Sequence, residues 1–159
     1  MIAEAIKRMR RVVFSVRLFR SEAERAHSER CLRILLTALA ACNVSHLLDA
    51  RGRTPPLYEA GVRYRPEPYP RENWLTIPEL YEQGFGDCED LACARVAELN
   101  VQGIEARPTF RFRRLNERGE PDIGGRFSLY HILVEHPDGS VEDPSALLGM
   151  GGNPWAVHS

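Results

Sequence analysis

The segment "GDCEDLACA" sets one cysteine, Cys88, among three acids, Asp87, Glu89 and Asp90, ahead of an alanine-rich run. Much further along, "SLYHILVEH" carries His131, and twelve residues after it "EDPS" carries Asp143. A thiol, an imidazole and a carboxylate are the parts of a nucleophile, a base and a group that orients the base. Together they support attack of sulfur on a carbonyl, proton transfer by the imidazole, and a thioester intermediate. Each residue also has a plainer role. Cys88 fits the apolar side of a helix as an inert thiol, His131 fits a hydrogen-bonded core position, and Asp143 fits a turn that begins before Pro144.

The elements that must position these groups can be read locally. Asp87 is a natural N-cap and Asp90 stands at the third helical position, so a helix is expected to start at Cys88. Cys88, Leu91, Ala92, Val96 and Leu99 share one face of it, and Gly103 ends it. A thiol in that first turn meets unpaired N–H groups and the positive end of the helix dipole, which favour its ionised form. That holds only if the acids turn away from sulfur: Asp87 to cap, Asp90 to reach back to the cap, and Glu89 to face solvent or a metal ion.

Upstream, Thr76 and Glu79 form a capping box with Pro78 in the first turn, giving a short helix through Gln83 that Gly84 closes. Downstream, "IEARPTFRFRRL" and "FSLYHILVEHP" read as strands joined by the loop "NERGEPDIGG", and "SVEDPSALL" reads as a third strand after Pro137-Asp138-Gly139. A three-residue loop there pairs Leu133 with Asp143 and puts His131 on the same face as Asp143, diagonal neighbours about 7–8 Å apart at Cβ. A two-residue Asp-Gly turn puts them on opposite faces. Both registers stay open at this level.

Before the cysteine segment, Ser21 and Glu24 fit a capping box for a helix with Leu32, Leu35, Leu36 and Leu39 at helical spacing. "RVVFSVRLF" (11–19) fits a strand or the continuation of a helix that begins near residue 3. Residues 50–73 read as a long loop broken by Pro55, Pro56, Pro66, Pro68 and Pro70. The order, helices first and then an antiparallel meander, predicts an α+β fold. At 159 residues the chain is sized for a single domain over 1–159, with a basic segment at 1–20 and a mobile, glycine-rich tail at 151–159.

Composition narrows the function classes. The net charge of −1 gives no general attraction to nucleic acid, and no nucleic-acid partner is expected. The basic residues Lys7, Arg8, Arg10, Arg11, Arg17 and Arg20 gather at the N-terminus, where a solvated face is the default reading. On the sequence reading no run approaches the roughly 20 apolar residues of a membrane span, so no membrane association and a cytoplasmic location are expected. Cys31, Cys42, Cys88 and Cys93 lack the spacing of a disulfide framework. Cys88 and Cys93 do not share a helical face, which argues against a zinc site. Arg107, Arg111, Arg113 and Arg114 on one strand suit acidic peptides, or are simply solvated.

With these residues in order, the chain resembles the transglutaminase-like superfamily. "GDCEDLA", then "YHILVE", then "EDPS" is similar to its Cys–His–Asp pattern. The nearer likeness is to the bacterial transglutaminase-like cysteine proteinases, in which a W-x-T-P-x-E lead-in precedes G-D-C-E-D. Here that lead-in is "WLTIPELYEQGFGDCED", with one extra residue between Thr76 and Pro78. The likeness runs from about Trp74 to Ser145 and leaves 1–73 uncovered. It implies a transglutaminase-like, papain-like arrangement: a cysteine at a helix N-terminus packed on an antiparallel sheet that carries His and Asp. It implies Cys88 as nucleophile, His131 as base, Asp143 as orienting group, and a peptide or protein substrate. No cofactor is required, though some relatives bind calcium through the acids flanking the cysteine, which would be Asp87 and Glu89. The Cys88 N–H and the Gln83 side chain are the oxyanion candidates, and Trp74, Tyr81 and Tyr130 are candidates for lining the substrate groove. Peptidase or amidase, transglutaminase, and a degenerate binding module remain separate readings; similar compact chains occur in phage genomes, so a virion or assembly context belongs among them.

Overall fold

The computed structural model describes residues 22–67, 73–116, 118 and 127–151. The basic segment, the stretch 11–19, the Ser21 cap, most of the 116–126 loop and the tail from 152 lie outside them. The chain divides into two compact units, Met1–Leu32 and Arg33–Ser159, where the sequence reading expects one domain. The division falls inside the first helix, α1 (Glu22–Ala50). All candidate site residues belong to the second unit.

That unit is mixed helix and strand, an α+β fold. After α1 come a short 3-10 turn at Leu57–Glu59, strand β1 (Arg63–Tyr64), helix α2 (Ile77–Gln83) and strand β2 (Phe85–Gly86). Helix α3 (Cys88–Val101) follows, then strands β3 (Arg107–Leu115), β4 (Phe127–Glu135) and β5 (Val141–Glu142), and helix α4 (Pro144–Leu147). The three later strands form an antiparallel sheet in the order β3-β4-β5, and β1 pairs with β2 in parallel.

Helix α3 is the central element. Leu91, Ala92, Cys93, Ala94, Val96, Ala97 and Leu99 are all buried, so the helix is covered on every side rather than on the single face its spacing suggested. Its small residues explain how: alanine and cysteine let neighbouring backbones approach closely. Leu91, Ala94 and Ala97 join Leu57, Val62, Leu75, Ile77 and Leu80 in one apolar cluster. Elsewhere the Cys93 thiol donates to the Leu36 carbonyl at 3.4 Å, tying α1 to α3. Buried Asn43 of α1 accepts from the Ile77 N–H at 2.8 Å and so fixes the start of α2. Each large apolar side chain buried here contributes about 1.5–3 kcal/mol.

Two sequence expectations need correction. The 50–73 loop is not without regular structure: β1 lies within it, and the Arg65 N–H donates to the Gly86 carbonyl at 2.8 Å. A two-residue strand is too short to show periodicity. The third strand ends at Glu142, and Asp143 caps helix α4 instead, accepting from the Ala146 N–H at 3.1 Å. Pro144 cannot donate to a ladder and suits the first turn of a helix. In addition, α1 contains a stretch, 24–50, long and apolar enough by length and composition to cross a membrane, with mean hydropathy 1.6 and 22% of the window buried. The expectation that no such run exists is therefore withdrawn.

The crossing of β2 over α3 leaves no room for a side chain at Gly86. A Cβ there would meet Leu80 Cδ1 at 2.6 Å and Asp90 Oδ2 at 2.8 Å. Gly86→Ala is expected to lower stability by about 1–3 kcal/mol in urea denaturation; an unchanged midpoint would mean that β2 and α3 are not packed this closely.

Candidate functional site

Helix α3 begins as its sequence dictates. Asp87 is the N-cap, and Asp90 reaches back to accept from the Asp87 N–H at 3.2 Å through Oδ2. The second oxygen of Asp90, Oδ1, accepts from the Leu75 N–H at 2.7 Å. One buried carboxyl thus fastens the start of α3 to the chain leading into α2. Cys88 follows as the first helical residue, half-buried.

On the facing strand, the hairpin takes the three-residue form. Val134 pairs with Glu142 and Glu135 with Val141, and Gly139 turns the loop at φ 84. Asp143 therefore lies one step beyond the last pair, on the face that carries His131. Its Oδ2 stands 2.9 Å from His131 Nε2, while Oδ1 caps α4. His131 is buried. Strand β5 covers β4 only at Val134 and Glu135, and the N-terminal end of α3 comes to β4 just beyond: the Ile132 N–H, next to His131, lies near enough to the Cys88 sulfur to favour its ionised form. The structure thus brings Cys88 up to the strand position adjoining His131, and His131 into contact with Asp143.

A network braces the short strand that delivers Asp143. The neighbouring Glu142 accepts from Arg95 Nε at 2.8 Å and from the Tyr58 hydroxyl, and its Oε2 is 2.9 Å from His136 Nε2. Arg95 also binds Glu98 at 3.1 Å, and Glu98 accepts from the Leu57 N–H.

The acids do not turn away from sulfur as the sequence reading required. Glu89 is buried, and the Cys88 thiol donates to its Oε2 at 3.5 Å. Burial pushes the Cys88 thiol well above its ordinary range, the Glu89 charge adds to this, and the Ile132 N–H opposes it. The resting group is a neutral thiol, so the helix terminus does not prevail here. Asp87 is raised by burial, with the neighbouring Glu89 side chain opposing the shift. Asp90 is pushed up to about 8 by burial and by the nearby Asp87 charge.

Asp87, Glu89 and Asp90 converge as a metal site would, so their fit to calcium can be judged. Asp90 spends both oxygens on backbone N–H groups; Asp87 receives the Glu67 N–H and meets Glu89; Glu89 receives the thiol. Calcium takes six to eight oxygens. Asp90 therefore has no oxygen to spare for an ion, whereas Asp87 keeps a buried Oδ1 that meets no hydrogen-bond donor.

Other sequence candidates lie away from the sulfur. Gln83 is exposed and donates to the Phe85 carbonyl at 2.9 Å, because the Gly84 turn and β2 intervene between it and Cys88. It lines a 220 Å³ cavity with Arg65, Pro66, Glu67, Phe85, Gly86 and Asp90, which Cys88, His131 and Asp143 do not line. The Tyr81 hydroxyl donates to the Pro55 carbonyl at 3.1 Å. Tyr130 packs with Phe110 and Phe112 at centroid distances of 5.4 and 5.1 Å, on the sheet face opposite His131, so it does not line a groove shared with the imidazole. Trp74 is half-buried beside Leu75.

Tyr64 is the residue that sequence reasoning missed. Its pairing with Gly86 sets it beside the chain entering α3, and its N–H donates to the Leu148 carbonyl just after α4 at 2.9 Å. Its phenol is raised to about 12, chiefly by burial and then by the acidic groups around it, so it stays protonated. No local motif marks a tyrosine in a proline-rich loop. Comparison with family models, curated proteins and solved structures returned no match.

Two outcomes follow from this electrostatic arrangement. Asp90 keeps in the folded state a proton that an unfolded chain releases near 3.8, so its contribution to stability is lost as pH rises from about 4 to 8. Thermal melts across that window should show stability falling with pH, and Asp90→Asn should flatten the slope; an equal slope in both proteins assigns it elsewhere. Second, Glu89→Gln should speed alkylation of Cys88 by iodoacetamide at pH 7 several-fold, since it removes the charge that opposes the thiolate. A slower or equal rate would refute Glu89 as the restraining charge.

Proposed function

We propose that the protein is a thiol-dependent acyl-transfer enzyme of transglutaminase-like architecture, acting on peptide or isopeptide amides, with hydrolysis as its main outcome. The observation that carries this reading is the 2.9 Å contact of His131 Nε2 with Asp143, made by a strand whose next residue, Ile132, has its N–H near the Cys88 sulfur. Asp143 holds the imidazole in one tautomer and orientation. Because the resting thiol is neutral, proton removal accompanies attack rather than preceding it.

As Cys88 Sγ bonds to the carbonyl carbon, its proton passes to His131. The oxyanion is met by the Cys88 N–H and, in this reading, by the Tyr64 hydroxyl in place of Gln83. His131 then protonates the amine, the C–N bond breaks, and a thioester remains. Water attacks the thioester, giving a proton to His131 that returns to the departing sulfur. A lysine amine in place of water gives an isopeptide bond, the transglutaminase outcome. The chemistry requires a reduced thiol, and Cys88 is free, which suits a cytoplasmic or other reducing setting.

One observation favours a second reading, a binding or assembly module without turnover: the half-buried thiol is hydrogen-bonded to Glu89 and its ionisation is disfavoured. The two readings separate on variants assayed with a p-nitrophenyl ester, following nitrophenol release and the Cys88 adduct by mass spectrometry. Asp143→Asn should slow acylation about 10- to 10⁴-fold, His131→Ala should slow it further, and Tyr64→Phe should slow it about 10²-fold with little change in melting temperature. If Asp143→Asn melts early yet acylates like the parent while folded, Asp143 serves only as the α4 cap and the binding reading stands. Acylation is expected to persist in chelator, because Asp90 has no oxygen left for an ion and the other two acids fall short of calcium's six to eight oxygens; its loss on chelation and recovery with calcium would reverse that assignment.

A further inference from the structure

Strand β3 places four arginines beside the strand that carries His131, and the register separates them. Arg107 is paired with Glu135, which is directly opposite it and binds it in an ion pair. Arg114 lies opposite Ser128, on the alternate face from His131. Arg113 lies opposite Leu129, one pleat away from His131 on the same face. Arg111 is directly opposite His131. Directly opposed residues of an antiparallel pair share a face, with Cβ atoms about 4.5–5.5 Å apart. Arg111 is exposed, and among the described residues it has no acidic partner.

The same face changes character at this point. His131 and Leu133 are buried, whereas Leu129 is 37% exposed. Beyond the imidazole the sheet therefore opens to solvent, with an apolar side chain at Leu129 and an unpaired guanidinium at Arg111. An amide carbonyl attacked by Cys88 and served by His131 must bring its flanking residues across this edge.

We infer that Arg111 forms a subsite for a carboxylate side chain of the substrate, so that the enzyme prefers peptides with aspartate or glutamate close to the amide attacked. The inference rests on the acyl-transfer reading of Cys88 and His131. Guanidinium binds carboxylate through two parallel hydrogen bonds, a geometry that lysine lacks. Neighbouring strands lie about 4.8 Å apart and an extended peptide advances about 3.3 Å per residue, so the acidic residue falls within two positions of the amide. Because Arg111 is exposed and outside the core, its replacement leaves the thiol, imidazole and Asp143 in place.

Thiol-directed peptidyl vinyl sulfones test this without a known substrate. Tripeptide probes carry Asp, Ala, Lys or phosphoserine at each of the two positions nearest the electrophile, and labelling of Cys88 in the full chain is followed by mass spectrometry. At one of those positions the Asp probe should label about tenfold faster than Ala, the Lys probe slower still, with the difference in the concentration for half-maximal rate. Arg111→Glu should invert the Asp and Lys order, and Arg107→Ala should leave it unchanged. Equal rates for Asp and Lys, or an Asp preference that survives Arg111→Glu, would overturn the subsite while leaving the nucleophile intact. A phosphoserine probe more than tenfold faster than Asp would overturn the choice of carboxylate over phosphate. No labelling of Cys88 by any probe would overturn the acyl-transfer reading, and this inference with it.

Discussion

The carboxyl of Asp90 is the tie on which the rest of the site hangs. It is 1% exposed and accepts two backbone N–H groups, from Leu75 and Asp87. Those bonds hold together the chain entering α2 and the start of α3, and Gly86 is packed against the same side chain. Burying a carboxyl without compensation is costly. Two N–H donors offset part of that cost, and retention of a proton offsets more, which is why its affinity for protons rises so far. The first turn of α3, and so the position of Cys88, depends on this arrangement.

A second constraint delivers the other half of the site. Strand β5 has only two residues and could not hold a position through its ladder alone. Glu142 compensates by binding Arg95 of α3, Tyr58 of the preceding loop and His136 of the hairpin. The next residue is Asp143, whose two oxygens are divided between His131 and the cap of α4. One helix therefore both presents the cysteine and, through Arg95 two turns on, steadies the strand that presents the acid. Cysteine and acid are positioned by a common element, which limits independent movement.

The acids crowding the cysteine then have two roles rather than one. Asp87 and Asp90 build the helix start, while Glu89 lies against the thiol and adds to the burial that disfavours its ionised form. A neutral thiol is protected against adventitious alkylation and oxidation. In the acyl-transfer reading, its activation would fall to the imidazole next to Ile132, not to the helix dipole. The dipole acts within a turn and is worth on the order of 1 kcal/mol or less for an exposed group; burial and an adjacent carboxylate outweigh it.

Local sequence determined those features that depend on nearest neighbours. The Asp87–Asp90 and Thr76–Glu79 boxes, the strands around His131 and the α+β order all follow from capping chemistry and alternation acting over a few residues. Sequence also named Cys88, His131 and Asp143, but left two hairpin registers open; the three-residue loop, with Gly139 at positive φ, chose the one that puts imidazole and carboxylate together. Tertiary structure alone decided the rest. Gln83, a plausible oxyanion donor by separation, was carried away by the Gly84 turn. Tyr64 was brought in from a loop by a two-residue parallel pairing that leaves no periodic trace. Glu89 faces sulfur instead of solvent because α3 is buried on all sides, a consequence of packing by distant segments that no helical wheel contains.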